Sequence, residues 1–172
     1  SPNTPGLRQL QDEGALKELL AAVQSIGSDK PLFLKVAPDL EDEDCERIVR
    51  TALDHGIDAI IVSNTTISRP PLKSRLANEA GGLSGSPLKP LALNALRKFR
   101  RASAGEMPLI GVGGIASADD AWGRIRAGAS LVQLYSAMVY EGPGIARRIA
   151  RGLAQRLKLE GFANIAEAVG TE

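Results

Sequence analysis

Three short stretches of this chain carry residue types that chemistry needs. The first is Ile-Gly-Val-Gly-Gly-Ile at 110–115, where a strand pattern runs into Gly113 and Gly114 just before a helix pattern. Glycine lets a backbone approach a ligand closely, and free N–H groups at a helix start attract anions. The same residues also suit an ordinary tight turn, and the motif alone fits both. The second is Lys35, inside Phe-Leu-Lys-Val-Ala-Pro at 33–38. An ammonium in a buried strand needs a partner. Either Asp39 forms a structural ion pair with it, or the cation faces an electron-rich cofactor, and we favour the cofactor. The third is Ser63-Asn64-Thr65-Thr66, three hydroxyls and an amide at a strand end. These groups either bond to the local backbone or recognise a small polar ring.

Other residues narrow the chemistry. A single cysteine, Cys45, excludes an internal disulfide and any multi-cysteine metal site. It falls on the apolar side of a helix pattern, as a packed thiol does. The single histidine, His55, precedes Gly56 at the end of that helix. There a ring N–H or a cation suits the helix dipole, and a capping role is preferred over Ser-His-Asp chemistry. No metal site is expected.

Alternating elements must position these groups. Leu16, Leu19, Leu20, Val23 and Ile26 recur at helical spacing before Gly27. A strand pattern follows at 31–37. Cys45, Ile48, Val49, Ala52 and Leu53 mark a second helix, and 57–64 reads as the next strand. Leu88, Leu91, Ala92, Ala95 and Phe99 form a third helical face, followed by a strand at 107–114. Ser117 and Asp120 have capping-box spacing at the start of a helix that Gly128 closes. A fourth strand spans 129–136, then Ile145, Ile149, Leu153 and Leu157 step along a last long helix to Gly161. A short helix at 164–170 ends the chain.

The order is one helix and then four strand–helix units, which predicts α/β with a parallel sheet. The strands are nearly continuous apolar runs, as expected where both faces are covered. Lys35 to Asp39, Ser63 to Thr66, Gly113 with Gly114, and Tyr135 with Ser136 all follow strands. That edge carries the ligand site in a (β/α)₈ barrel and in an open doubly wound sheet alike. The stretch 68–85 is too long for a simple connector and reads as a lid or binding segment. Its charges Arg69, Lys73 and Arg75 are expected to be solvated. Its end, Gly-Gly-Leu-Ser-Gly at 81–85, again permits close backbone approach.

Composition sets outer limits. With 172 residues, 44% hydrophobic and 24% charged, the chain is long enough for one domain with a real core. Lys and Arg number 21 against 20 Asp and Glu, a net charge of +1. That balance argues against a dedicated nucleic-acid surface. No apolar run approaches the roughly 20 residues of a membrane span.

Taken together, seven segments resemble the class 2, quinone-dependent dihydroorotate dehydrogenases. They are SPNTPGLR (1–8), FLKVAPDL (33–40), IIVSNTT (60–66), SRP (68–70), GGLSG (81–85), IGVGGI (110–115) and IRAGASLVQLYSAMVYEGP (125–143). They stand in the family's order and cover nearly the whole chain. The resemblance implies a (β/α)₈ barrel of which residues 1–172 are the second half, with FMN at the C-terminal ends of the strands. The first half, and the N-terminal helices that meet membrane and quinone, are expected to be absent. The turn sequence at 1–6 then matches the loop after the fourth barrel strand.

The resemblance also implies roles. It places Ser1 as the base that takes a proton from C5 of dihydroorotate while hydride passes from C6 to the flavin. Class 1 enzymes carry cysteine there. Asn3, Asn64 and Thr65 match orotate-binding positions. Lys35, Ser63 and Gly85 match flavin contacts, and Gly114, Tyr135 and Ser136 match the phosphate end. Ser136 stands where many relatives have threonine, and the hydroxyl is kept. The implied activity is oxidation of dihydroorotate to orotate in pyrimidine biosynthesis, with electrons passed to a quinone at the cytoplasmic side of the cell membrane. The alternative is a phosphate-binding half-barrel without catalysis. The expected partners are the missing half-barrel or a second copy of the chain.

Overall fold

In the computed structural model, the described residues are 6–7, 9–27 and 29–172. Ser1 and Asn3, and with them the expected base and one substrate contact, lie outside the described residues.

The apolar spacings become helices that each bury one stripe. Helix α1 (Glu13–Ser25) buries Leu16 and Leu20. It stops before Ile26, which is 79% exposed and so does not belong to the core stripe. Strand β1 (Phe33–Val36) leads to α2 (Asp42–Asp54), which buries Cys45, Ile48, Val49 and Ala52. Glu41 and Asp44 cap its start reciprocally. At its end the His55 ring Nδ1 lies 2.9 Å from the Thr51 carbonyl. A carbonyl only accepts, so that nitrogen carries the proton and His55 caps the helix.

Strand β2 (Ala59–Val62) is followed by the long loop and by α3 (Lys89–Ala102). Then come β3 (Leu109–Val112), α4 (Ala118–Arg126) and β4 (Ala129–Gln133). Ser117 accepts the Asp120 N–H at 3.1 Å, while the Asp120 carboxylate accepts from Ala116 at 3.0 Å, one residue earlier than a standard box. The expectation of a strand reaching Ser136 is corrected. A short helix, α5 (Ser136–Glu141), begins there, and it buries none of its residues. With no buried stripe it has no period to read. Helix α6 (Gly144–Glu160) ends at Gly161 in the left-handed region, and α7 (Ile165–Ala168) closes the chain.

The four strands are parallel in the order β1-β2-β3-β4. Sequential order with right-handed crossovers places every crossover helix on one side. No strand order reverses, so the described residues hold no topological switch point, and a barrel segment is the fitting alternative. Val36, Ile60, Val62, Leu109 and Ala129 turn toward the helices and pack with Leu16, Ile48, Leu96 and Phe99 in the main core. A second cluster joins α4 to α6, and a third sets Trp122 edge-on to Phe162, 5.9 Å between ring centroids.

The opposite sheet face departs from the expectation of two covered faces. Lys35 pairs with Ile61, Ile61 with Ile110, and Ile110 with Leu131, so these four form one row across that face. Phe33 is 46% exposed and Leu131 60%. The edge strands β1 and β4 carry this exposure, while inner strands β2 and β3 remain largely buried. Apolar runs in the sequence report apolar side chains on both faces, and the second face here is open.

Two outcomes follow from this packing. Phe99 is fully buried, so Phe99→Ala is expected to lower stability by about 3–5 kcal/mol in urea unfolding. Leu159→Ala, at an exposed position of α6, is expected to change it by less than about 0.5 kcal/mol. Equal shifts would place the core elsewhere. Exposed apolar faces and free sheet edges attract partners, so the 172-residue chain is expected to self-associate as concentration rises in light scattering. Leu131→Lys should reduce the association; a monomer at every concentration would show that the open face is not sticky.

Candidate functional site

Parallel strands in sequential order deliver all their C-terminal ends to one edge. There the structure opens a cleft of about 640 Å³, within the range of small-ligand sites. Lys35, Ser63, Asn64, Thr65, Gly85, Gly114, Tyr135 and Ser136 all line it. Every expected site residue among the described ones is therefore brought to one place.

Lys35 projects from the open face of β1, and its side chain is exposed rather than buried in a covered strand. It forms no ion pair among the described residues. Asp39 is engaged elsewhere: its carboxylate accepts from the Thr66 hydroxyl, from Ser68 Oγ at 3.0 Å and from the Ile67 N–H at 3.4 Å. The structural Lys35–Asp39 pair is not formed, and the ammonium is left facing the cleft.

The Ser63–Thr66 segment divides its labour. Ser63 is buried, and its hydroxyl donates to the Asn64 carbonyl at 2.9 Å. Asn64 Oδ1 accepts the Thr65 N–H at 2.8 Å. These are local turn bonds. The Thr65 hydroxyl, however, is buried without a partner among the described residues, and a buried unpaired hydroxyl costs free energy that a polar ligand atom recovers. Asn64 keeps its amide NH₂ for the cleft, since that group donates to no described residue. The Val62–Ser63 peptide bond is cis.

The long loop is organised, and Arg69 organises it. Its guanidinium donates to the carbonyls of Ile67 at 3.2 Å, Glu79 at 2.9 Å and Gly81 at 2.6 Å. Arg69 is exposed, as expected of a solvated charge, but its guanidinium also ties the loop's backbone together. A backbone bridge between Thr66 and Leu83 closes the same neck. Below it, Ser136 Oγ donates to Ser84 Oγ at 2.9 Å. A Cβ on Gly85, where φ is +75°, would meet Ser136 Cβ at 3.6 Å. The loop end and the start of α5 thus meet at one wall of the cleft.

The glycine turn after β3 forms the far end. Gly113 and Gly114 have φ of +114° and +71°. A Cβ on Gly114 would lie 2.8 Å from the Lys89 backbone nitrogen. Only glycine fits there. Lys89 pairs with Asp120 at 2.6 Å. Burial raises the Asp120 carboxyl, but hydrogen bonds from Lys89 and the Ala116 N–H outweigh it and hold the pKa below its usual value.

Sequence reasoning missed Ser84 and Gln133, which also line the cleft. Ser84 lies inside the Gly-Gly-Leu-Ser-Gly stretch and was legible there as a neighbour of Gly85. Cys45 is 1% exposed, and burial pushes its thiol up to about 12, so it stays protonated in the core. The cleft therefore offers a cation, an unpaired hydroxyl and a free amide NH₂ toward one end and glycine backbone toward the other. An elongated ligand with a polar ring and an anionic tail matches that arrangement. Among the described residues no helix is long and apolar enough to cross a membrane.

Known proteins share this fold and much of the sequence. The chain is 67% identical to the dihydroorotate dehydrogenase (quinone) of Erythrobacter litoralis over 174 aligned positions, covering 100% of this chain and 51% of that protein. It is 65% identical to the protein of the same name from Sphingopyxis alaskensis, covering 99% of this chain and 49% of that one. The crystal structure of DHODH from Eimeria tenella in complex with ferulenol superposes with a TM-score of 0.93 at 39% identity. That match covers 99% of this chain and 51% of the other. The chain thus spans about half the length of the curated relatives it matches. The dihydroorotate dehydrogenase family model matches residues 1–157. With that match added to the shared fold, the chain belongs to the dihydroorotate dehydrogenase family.

Proposed function

We propose that residues 1–172 are the C-terminal half of an FMN-binding (β/α)₈ domain that oxidises dihydroorotate to orotate and passes electrons to a quinone. One observation carries this reading: Lys35, the unpaired Thr65 hydroxyl and the glycine turn at Gly113 and Gly114 line a single cleft. The family relationship supports it, since the curated relatives bear the name dihydroorotate dehydrogenase (quinone). The membrane and quinone contacts of that activity are assigned to sequence outside these 172 residues, at the cytoplasmic face.

The residues present fit FMN. The turn at Gly113 and Gly114 lines the cleft with backbone, since contact with Ala92 and Lys89 leaves no room for side chains there; bare backbone N–H groups suit the phosphate, with Ser136 and Tyr135 beside it. Ser63 and Gly85 bring compact groups to the flavin ring. FMN, when bound, supplies the two-electron acceptor for the substrate's hydride. Lys35 presents its ammonium to the cleft, where it favours an electron-rich neighbour such as a reduced flavin. Asn64 and Thr65 orient the substrate through the NH₂ and hydroxyl that have no partner among the described residues, and the family resemblance gives Asn3 the same role. Ser1 takes the proton from C5 of dihydroorotate, for which a serine needs close positioning and a proton path.

In a chain of the relatives' full length, Lys35→Ala is expected to slow flavin reduction by dihydroorotate about 100-fold. Cys45→Ala, in the core, should leave that rate nearly unchanged. Equal effects in stopped-flow absorbance would remove Lys35 from the site. Ser1→Ala is expected to slow the same step while FMN stays bound, because the residue acts on substrate. A rate unaltered across pH would exclude serine as the base.

A further inference from the structure

Arg124 is buried to 2% exposure on the inner side of α4, beside Ala121, Trp122 and Ile125. It forms no ion pair among the described residues. Its Nη2 donates to two carbonyls, Gly113 at 2.7 Å and Lys89 at 2.9 Å. Its Nη1 is buried with no partner. Burial lowers its pKa to about 10, so the guanidinium stays charged at neutral pH. A buried cation without a counter-charge in contact is costly, and this one sits directly behind the glycine turn.

The peptide geometry shows what the contact does. In a trans peptide unit the C=O and the following N–H point in opposite directions. Arg124 draws the Gly113 carbonyl toward α4 and the start of α3. The Gly114 N–H is thereby turned the other way, and it donates to no group among the described residues. Both glycines line the cleft. The second bond, to the Lys89 carbonyl, fixes the turn against the backbone that leaves no room for a Gly114 side chain.

We infer that Arg124 is a positioning residue for the anion-binding end of the cleft, holding the Gly113–Gly114 peptide so that its N–H faces the ligand. The two N–H groups of the planar Nη2 diverge toward the two carbonyls in fixed directions, which a freely rotating lysine ammonium does not fix in the same way. The inference rests on the FMN reading given above and adds to it the residue that orients the phosphate cradle from behind.

The test compares FMN with riboflavin, which lacks the phosphate, on apoprotein of the relatives' full length, by fluorescence titration. The unsubstituted protein is expected to prefer FMN. Arg124→Met should cut that preference about tenfold while riboflavin affinity holds. Arg124→Lys, which keeps the charge and reaches one carbonyl, should lose about threefold. A purely structural role would weaken both flavins alike and leave the ratio intact, and that result overturns the inference while the FMN reading stands. If the unsubstituted protein does not prefer FMN, the FMN reading fails and the inference with it. Should Arg124→Met fail to fold, Arg124→Lys decides: a ratio equal to that of the unsubstituted protein rejects the positioning role.

Discussion

Parallel pairing in sequential order is the constraint on which this structure depends. Hydrogen bonding β1 to β2, β2 to β3 and β3 to β4 in one direction requires a crossover between each pair. Right-handed crossovers then all fall on one side. One face of the sheet receives α1 to α4 and becomes core. All four C-terminal strand ends meet at one edge, and residues far apart in sequence, such as Lys35 and Ser136, line one cleft. The site follows from the direction of the strands before any side chain is considered.

Polar groups are then sorted by whether the protein satisfies them itself. Arg69, and Arg124 through its Nη2, donate to backbone carbonyls, and neither lines the cleft, while Arg124 Nη1 finds no partner among the described residues. The Asp39 carboxylate accepts from the Thr66 and Ser68 hydroxyls. Thr65, inside the cleft, keeps a buried hydroxyl unpaired. Rigid, satisfied supports surrounding a few unsatisfied groups are what preorganised binding requires.

Much of this was legible from residue types. Cys45, Ile48, Val49 and Ala52 of the second stripe face the core, while Leu53 of that stripe and Leu19 of the first are exposed. The order of strands and helices, and the collection of polar groups after strands, also carried through. Other features depend on three-dimensional context. Ile26 matches the period of α1 but falls one residue past its end. Phe33 and Leu131 look like core in a linear pattern, yet at the edge strands they are exposed, while Ile110 between them in the sheet is buried. Helix α5 has no buried residue and so left no stripe. The carbonyl partners of Arg69 and Arg124 were not legible, because a backbone carbonyl leaves no mark on the sequence.

The Arg69 contacts make the long loop a purse with a drawn neck. The carbonyls of Ile67 near its entrance and of Glu79 and Gly81 near its exit share one guanidinium. Residues 70–78 hang outside that knot, and Ser84 and Gly85 lie beyond it on the cleft side. Changes of length or composition in the outer bag are mechanically insulated from the cleft. The wall beside Ser136 therefore keeps its shape while the bag is free to vary, and a single arginine side chain separates a tolerant surface from an intolerant one.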